Sequence, residues 1–390
     1  MESIFICPRC GNKDPRFIGH RNGEPYCRRC IGFAGKEAKF KPGKMQNVRL
    51  SLKYPLSKEQ NELSNQIIAN FKSGIDTLVY AVCGSGKTEI SYGVIAYAMS
   101  LGLKVGFALP RRDVVIELFF RLKEAFPEQK VVAVYGGHVS TLEADCVILT
   151  THQLYRYPHY FDLLVMDEID AFPFKGSDLL LDMFRQALKG HCLMMSATPS
   201  KEVVKEYRSP GHMMLTLHTR FHKHPIPVPS IVTLPGRLQK LWLISKLRKY
   251  KKEGKPVFVF VPSVSLSESL FRIVCFGVSG GNYVSSKREG REKIIQNFKD
   301  GKYPFLITTA VLERGVTIKN LQVIVFHADN RIYDAAALIQ IAGRAGRKMD
   351  APKGEVTFVG SKTSEAMDAA IREIEYCNTF LQSVLRKDKT

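Results

Sequence analysis

The segment at 81–88 combines residue types and a spacing that can bind a triphosphate. It follows the apolar run 78–80, as expected for a loop that joins a buried strand to a helix. Glycines let backbone N–H groups turn toward phosphate oxygens, a lysine such as Lys87 offsets charge on the β- and γ-phosphates, and the hydroxyl of Thr88 can ligate Mg²⁺. The predicted nucleotide site is formed by Ala81, Val82, Cys83, Gly84, Ser85, Gly86, Lys87 and Thr88.

A pair of carboxylates, Asp167 and Glu168, follows the apolar run 163–166. The carboxyl ends of parallel strands share one edge of a sheet, so these acids should lie beside the phosphate-binding segment. Asp167 can hold Mg²⁺, and Glu168 can orient and deprotonate an attacking water. Acids at a strand end can also simply begin a helix, but a position about 80 residues after a phosphate loop favours the catalytic interpretation.

A third group of polar residues, Gln340, Arg344 and Arg347, lies toward the end of the chain. Two arginines about one helical turn apart would place both guanidinium groups on one helix face. A guanidinium that reaches a γ-phosphate stabilises charge in the phosphoryl-transfer transition state and can change the rate by roughly 10³–10⁵. We predict that all three residues act in catalysis; the alternative is a pair of surface arginines that contact nearby acids.

Two C-x-x-C pairs near the start of the chain have the spacing of a zinc site. Cys7 and Cys10 are separated by 16 residues from Cys27 and Cys30. Four thiolates suit one tetrahedral Zn²⁺, whereas a redox C-x-x-C normally occurs singly. The segment is too short for a core of its own, so zinc is predicted to stabilise it. Its many basic residues leave DNA binding and a structural or protein-docking role both open.

The composition favours a polyanionic partner. The 390 residues include 57 Lys or Arg against 37 Asp or Glu, a formal net charge of +20. Basic side chains gain affinity by releasing counterions from a phosphate backbone, which makes nucleic acid the leading candidate. A solvated basic surface would have the same composition, so charge alone does not decide between them.

The sequence contains no predicted membrane span or secretion signal. No apolar stretch approaches the roughly 18 residues that a spanning helix needs. The first residues form too short and too acidic a stretch for a signal peptide. We therefore expect a cytoplasmic protein with reduced cysteines and no transmembrane segment.

The elements that position these groups alternate regularly from about residue 55. Short apolar runs between amphipathic stretches predict a parallel sheet covered by helices, and the pattern occurs twice. Only the first series carries a phosphate loop, so we expect a site completed across a cleft. The predicted strands are 78–81, 105–109, 131–135, 146–149, 163–167 and 192–196, then 257–261, 305–308 and 323–326. Predicted helices of the second series are 237–250, 265–274, 290–299, 333–342 and a terminal helix after Lys362.

The predicted domain organisation has four parts. A zinc module at 1–45 precedes a nucleotide-binding lobe at 46–205, and a second lobe with the terminal helix occupies 236–390. Between the lobes, residues 206–235 contain five prolines and lose the alternating pattern. Prolines interrupt both helices and central strands, so this interval is predicted to be a connector.

Several of these segments, taken in order, are similar to the motifs of superfamily 2 helicases and translocases. The matching segments are 81–88, 167–170, 196–198, 308–310, 313–315 and 340–347. The four-cysteine module, Asp-Glu-Ile-Asp-Ala-Phe-Pro at 167–173 and Arg-Phe-His at 220–222 resemble the ComFA family, the late-competence DNA-uptake ATPases of Gram-positive bacteria. PriA-type helicases are a more distant likeness, because they are longer and carry zinc cysteines within the second lobe.

The resemblance implies roles for further residues. Gln60 is placed like the glutamine that reads adenine, and Gly315 would belong to the nucleotide site. Ser196 and Thr198 would couple the nucleotide state to lobe closure, although their hydroxyls could instead cap a helix. Loops after strands would touch the phosphates of a single strand. The residues in those loops are Pro110, Arg111, Thr150, Thr151, Ser263, Thr308 and Thr309.

The resemblance also implies two RecA-like lobes that hydrolyse ATP with Mg²⁺ and move along single-stranded DNA during uptake in natural transformation. A ComFC-like competence protein and the membrane DNA-import channel would be the partners, which would place the chain at the inner face of the membrane. Two other functions stay open. One is a duplex-unwinding DNA helicase of PriA-like type, and the other is a zinc-bearing nucleic-acid scaffold whose ATP site is only a switch.

Overall fold

The computed structural model describes residues 5–139, 141–285, 288–309 and 318–387. The chain forms two compact units. The first contains the residues up to Ala81 together with Gly86–Leu217, and the second contains Val82–Ser85 together with the chain from His218 onward. Gly315 and its neighbours from 310 to 317 lie outside the described residues.

The first unit begins with the four-cysteine module, whose antiparallel hairpin pairs β1 (Ile18–Arg21) with β2 (Glu24–Cys27). Its cysteines belong to the same hydrophobic cluster as buried residues of the parallel sheet that follows. Arg29 forms a 2.6 Å ion pair with Asp182, and the Tyr155 hydroxyl donates to the Ala34 carbonyl at 2.9 Å. The module is therefore an integral part of the first unit.

The parallel sheet of the first unit has the order β5-β6-β4-β7-β8-β3-β9. Its strands are β3 (Asp76–Ala81), β4 (Val105–Leu109), β5 (Val131–Val134), β6 (Cys146–Thr150), β7 (Phe161–Asp167), β8 (Leu188–Ser196) and β9 (His212–Leu217). All residues of β4 and β6 are buried, as expected for strands covered on both faces. Phe107 and Ala108 of β4 lie in different core clusters, because successive side chains point to opposite faces of the sheet.

The helices of the first unit are α1 (Lys58–Lys72), α2 (Lys87–Ser100), α3 (Arg112–Ala125), α4 (Asp178–Ala187) and α5 (Lys201–Glu206). α1 begins with a capping box, in which the Ser57 hydroxyl accepts from the Gln60 N–H and Gln60 Oε1 accepts from the Ser57 N–H. α2 begins directly after the glycine-rich loop, so the phosphate-binding segment joins the end of β3 to a helix N-terminus.

The second unit has its own parallel sheet, with the order β10-β15-β14-β11-β13-β12. Its strands are β10 (Ser230–Thr233), β11 (Val257–Val261), β12 (Asn282–Val284), β13 (Phe305–Thr309), β14 (Gln322–Phe326) and β15 (Val356–Gly360). Its helices are α6 (Gly236–Lys252), α7 (Val264–Cys275), α8 (Arg291–Lys299), α9 (Ala335–Ala342) and α10 (Glu365–Lys387). Met367 and Ile374 of α10 pack in this unit's core, as predicted for a terminal helix. The prediction of two parallel-sheet lobes is confirmed.

The interval at 206–235, which was predicted to be a connector, contains two strands. β9 pairs in parallel with β3 in the first unit, and β10 pairs in parallel with β15 in the second. Both are edge strands of their sheets and only partly buried, so their apolar pattern is weak. Pro210 and Pro229 precede them, and in a sequence such prolines indicate loops. The first unit consequently extends to Leu217.

No helix in the described part of the chain has the length and apolar character needed to cross a bilayer.

Candidate functional site

The phosphate-binding segment has the backbone that its glycines predict. Gly84 and Gly86 have φ values of +85° and +80°, a region that other residues seldom adopt. Gly86 is the N-cap of α2, and Lys87 is its first residue. The Lys87 ammonium donates to the Ala81 carbonyl at 2.8 Å. Together these features place a lysine and a helix N-terminus, both suited to anions, at the end of β3.

Gln60 lies against this loop. It is buried, and a Cβ atom built on Gly86 would come within 2.4 Å of Gln60 Nε2. The same side chain closes the capping box of α1, so its orientation is fixed by the helix start. This placement beside the phosphate loop is compatible with the predicted adenine contact, which stays a prediction.

Asp167 and Glu168 lie at the end of β7, two strands away from the phosphate-binding strand. Burial raises the pKa of Asp167 to about 6, an effect that the nearby Lys87 cation opposes and the Glu168 carboxylate reinforces. The Asp167 carboxylate also accepts from the Glu168 N–H at 2.8 Å. Glu168 itself has φ +59°, which is unusual for a residue with a side chain. The structure thus brings the predicted lysine and Mg²⁺ carboxylate within electrostatic reach of each other.

Ser196 and Thr198 form hydrogen bonds with Asp170, the last acid of the segment 167–170. Ser196 Oγ donates to Asp170 Oδ1 at 2.8 Å, and Thr198 Oγ1 donates to Asp170 Oδ2 at 2.6 Å. The helix that follows is capped by Ser200 instead, so the alternative of helix capping by Ser196 or Thr198 is wrong. Their hydroxyls connect the end of β8 to the acidic segment after β7. The sequence alone gave no role to Asp170.

The predicted strand-contacting residues of the first unit follow β4 and β6. Pro110 is buried, and Arg111 is the partly exposed N-cap of α3. Thr150 and Thr151 are both buried at the start of a 3₁₀ helix (Thr151–Arg156). Because these threonine side chains are buried, the exposed group that this turn offers to a ligand is the next residue, His152.

In the second unit, Ser263 is the N-cap of α7 and its hydroxyl accepts from the Leu266 N–H at 3.2 Å. Thr308 and Thr309 are buried at the end of β13. The residues therefore lie at the carboxyl ends of two adjacent strands, β11 and β13, as the sequence predicts. Their contact with a nucleic acid stays a prediction.

The predicted arginine motif lies partly outside the helix expected to carry it. Gln340 is within α9, but the helix ends at Ala342, and Arg344 and Arg347 lie in the turn that follows. The expectation of two arginines on one helical face is therefore wrong. Gly343 caps the helix and Gly346 has φ +62°, which explains why the chain turns here. Arg347 Nε donates back to the Gly343 carbonyl at 3.0 Å.

The four predicted zinc ligands converge in the N-terminal module. All four Sγ atoms, those of Cys7, Cys10, Cys27 and Cys30, are buried and lie within 4.8 Å of one another. The Cys7–Cys30 and Cys10–Cys27 sulfur distances are 3.5 Å and 3.7 Å. Sulfur ligands of a tetrahedral Zn²⁺, with Zn–S bonds of about 2.3 Å, would be separated by about 3.8 Å. The site therefore fits a structural zinc ion.

The module also contacts the turn at the end of β6, which the sequence did not indicate. The ring centroids of Phe33 and His152 lie 6.1 Å apart in a stacked arrangement. The backbone N–H of Phe33 donates to the Cys30 carbonyl. Arg156 donates to the Lys36 carbonyl at 2.7 Å. The cysteine knuckles are thus linked to the segment that carries the predicted DNA contacts of the first unit.

Comparisons with known proteins agree with this arrangement. Residues 61–207 match the DEAD/DEAH box helicase family, and residues 239–349 match the helicase conserved C-terminal domain. The solved structure of S. cerevisiae Dbp5 bound to RNA and ADP BeF3 has a TM-score of 0.64 at 15% identity, over 85% of this chain and 98% of the chain in that structure. The structure of RecG bound to a three-way DNA junction has a TM-score of 0.60 at 18% identity, over 86% of this chain and 49% of the chain in that structure.

The fold, the phosphate loop and the acidic strand end define a superfamily 2 helicase-type ATPase. Competence protein ComFA of Bacillus subtilis (strain 168) is 35% identical over 408 residues, which is 97% of this chain and 87% of that protein. Competence protein ComFA of Streptococcus pneumoniae (strain ATCC BAA-255 / R6) is 33% identical over 392 residues, which is 96% of this chain and 90% of that protein. The chain belongs to the ComFA family of competence proteins.

Proposed function

We propose that this ATPase moves along single-stranded DNA and drives DNA uptake in natural transformation. The observation that carries the proposal is the polar network at the carboxyl edge of the first sheet. There Lys87 lies near Asp167, and Ser196 and Thr198 bind Asp170. Such a network can link the state of a bound nucleotide to movement of the chain after β8.

In this proposal Lys87 and the backbone of the glycine-rich loop hold the triphosphate, and Glu168 orients the attacking water and accepts its proton. Thr88 and Asp167 would hold Mg²⁺, which supplies charge neutralisation for the phosphates. Gln340, Arg344 and Arg347 would stabilise the negative charge that develops during phosphoryl transfer. Gln60 would select the adenine base.

The DNA would be held by its backbone. The candidate contacts, Arg111 and Ser263 among them, follow strands and lie in loops, where they would meet phosphates and not base edges. The net charge of +20 supports a polyanionic ligand. We therefore expect little sequence preference and an affinity for DNA that falls steeply as salt rises.

The family likeness supports two further parts of the proposal. A ComFC-like competence protein would be a partner of this chain. The motor would act at the inner face of the membrane, next to the import channel, as a peripheral component.

ATP hydrolysis measured side by side with single-stranded DNA, duplex DNA and RNA tests the proposal. We expect the largest stimulation with single-stranded DNA, and loss of turnover in K87A while DNA binding is retained. K130A, which removes an exposed lysine remote from the phosphate loop in sequence, is the matched control and should behave like the unaltered protein.

Other rankings would support other functions. Preferential stimulation by duplex DNA together with strand displacement would indicate the duplex-unwinding helicase. Equal, low turnover with and without nucleic acid would indicate the scaffold with an ATP switch. Either result would contradict the translocase.

A further inference from the structure

Arg220 is a buried arginine whose partners are backbone carbonyls. Only 2% of it is exposed, and within the described ranges no carboxylate forms an ion pair with it. Burial lowers its pKa to about 10, and the nearby Arg347 cation acts in the same direction. A buried charge without a counter-ion is costly, so its retention calls for a specific explanation.

The guanidinium binds three carbonyls of one short turn. Its Nη1 donates to the carbonyls of Ala345 and Gly346 at 3.0 Å and 2.9 Å, and its Nη2 donates to that of Gly343 at 3.0 Å. This turn directly follows α9, where the last carbonyls of a helix have no partner within the helix. The rigid, planar guanidinium can satisfy several of them at once, which an ammonium group cannot do with the same geometry.

The rest of the turn is constrained in the same way. His222 Nε2 lies 3.0 Å from the Gly346 carbonyl, so a second side chain from the segment after β9 contacts the turn. A Cβ atom on Gly346 would lie 2.3 Å from the Pro352 carbonyl oxygen, so the close approach of these two backbone segments requires glycine at this position. The Gly343 carbonyl accepts from both Arg220 and Arg347. Arg220 is thus connected through one oxygen atom to an arginine of the predicted motif.

We propose that Arg220 is a positioning residue for ATP hydrolysis, because it fixes the turn from which Arg344 and Arg347 extend. This inference rests on the proposed catalytic role of those two arginines. Arg220 need not touch the nucleotide itself. Without it, three buried carbonyls would lose a donor, and the turn would relax toward water or toward other donors.

Steady-state ATP hydrolysis by R220M is the first test. A displacement of about 1 Å in a catalytic group can lower a rate by about 100-fold, so we expect kcat to fall by that order while the KM for ATP stays within a few-fold. R248M is the matched control, because Arg248 also donates to a carbonyl, that of Gly277 at 2.8 Å, but on the exposed surface of the same unit. An unchanged kcat in R220M would overturn the proposal.

Combination with R344A/R347A separates positioning from a general loss of stability. If Arg220 acts through these two arginines, R220M should lower kcat much less in the R344A/R347A background than in the unaltered protein. Equal fold-losses in both backgrounds would overturn the proposal. If R344A/R347A alone leaves turnover unchanged, the proposed catalytic role of the two arginines fails, which is a distinct result.

Hydrogen exchange provides a readout that does not depend on turnover. We expect faster amide exchange in peptides covering 338–350 of R220M, and no such change in R248M. Unchanged exchange in that segment would contradict the proposal. If R220M does not fold, R220K keeps the charge but loses the forked donor geometry, and the same comparisons apply with an expected fall in kcat of about 10-fold.

Discussion

The phosphate-binding edge of the first unit and the arginine-bearing turn of the second are held in place by different means. In the first, side chains from separate motifs contact one another: Lys87 lies near Asp167, and Asp170 accepts from two hydroxyls. In the second, Arg220 binds the backbone of the turn. Contacts between motif side chains can be inferred from the residue types in the sequence. A contact with the backbone cannot, because every residue type carries the same carbonyl group.

The largest effect on turnover is expected when an arginine is removed from the second region. R347A should lower kcat for ATP hydrolysis by about 1,000-fold while ATP affinity changes little, because the variant lacks the guanidinium proposed to stabilise negative charge in the transition state. R372A removes an exposed arginine of α10 and serves as the control. Turnover and equilibrium nucleotide binding measure the two quantities. A loss confined to affinity would place Arg347 in ground-state binding instead.

A smaller effect is expected for the hydroxyls of the first region. The variant S196A/T198A deprives the Asp170 carboxylate of two donors, and hydrogen bonds to charged groups contribute about 1.5–3 kcal/mol each. We expect DNA-stimulated turnover to fall about 10-fold, while DNA-independent turnover and ATP affinity stay nearly unchanged. S200A removes a nearby hydroxyl that caps α5 and should retain full stimulation. Equal losses with and without DNA would refute the coupling role.

The zinc module should affect DNA binding more than nucleotide binding. C30S removes one of four thiolates and disturbs the contact from Phe33 to His152. We expect bound zinc to be lost and the affinity for single-stranded DNA to fall about 10-fold, which corresponds to about 1.4 kcal/mol. C275S alters an exposed cysteine and is the control. Retained DNA affinity in a zinc-free C30S protein would show that the module does not support DNA binding by the 3₁₀ helix that contains His152.

The smallest effect concerns the pH dependence of stability. The pKa of Asp167 is raised to about 6 in the folded protein, so the folded state binds a proton more tightly than the unfolded state. Its contribution to the free energy of unfolding therefore rises as pH falls from above 6 toward 4. Relative to D167N, the metal-free protein should gain about 1 kcal/mol between pH 7.5 and pH 5, measured by chemical denaturation. A parallel pH dependence in both proteins would contradict the raised pKa.

Much of the fold follows from apolar periodicity. β4 and β11 are fully buried apolar runs and β7 is nearly so, and their predicted bounds lie close to those observed. β9 and β10 escaped prediction because edge strands are half exposed and prolines precede them. β15 is fully buried but lies outside the recognised motifs. Pairing with neighbouring strands, which a local sequence pattern does not encode, stabilises β9, β10 and β15.

The candidate site likewise contains some residues whose placement the sequence predicts and others whose placement it does not. The lysine, the acids and the four cysteines follow from residue type and spacing, since their chemistry requires those groups at those intervals. The helical placement of Arg344 and Arg347 was wrong, because spacing alone does not show that α9 ends at Ala342. Arg220 was visible in the sequence as part of an Arg-Phe-His string, but its partners are more than 120 residues away.

Movement along DNA is measured most directly by the arrival time of the protein at the end of a single strand. Single-stranded DNAs of increasing length, each with a fluorophore at one end, would be mixed with the bound protein and ATP. We expect an arrival time that grows linearly with the length of the DNA in the presence of ATP, and no arrival signal in K87A. An arrival signal independent of length, despite DNA-stimulated hydrolysis, would contradict translocation.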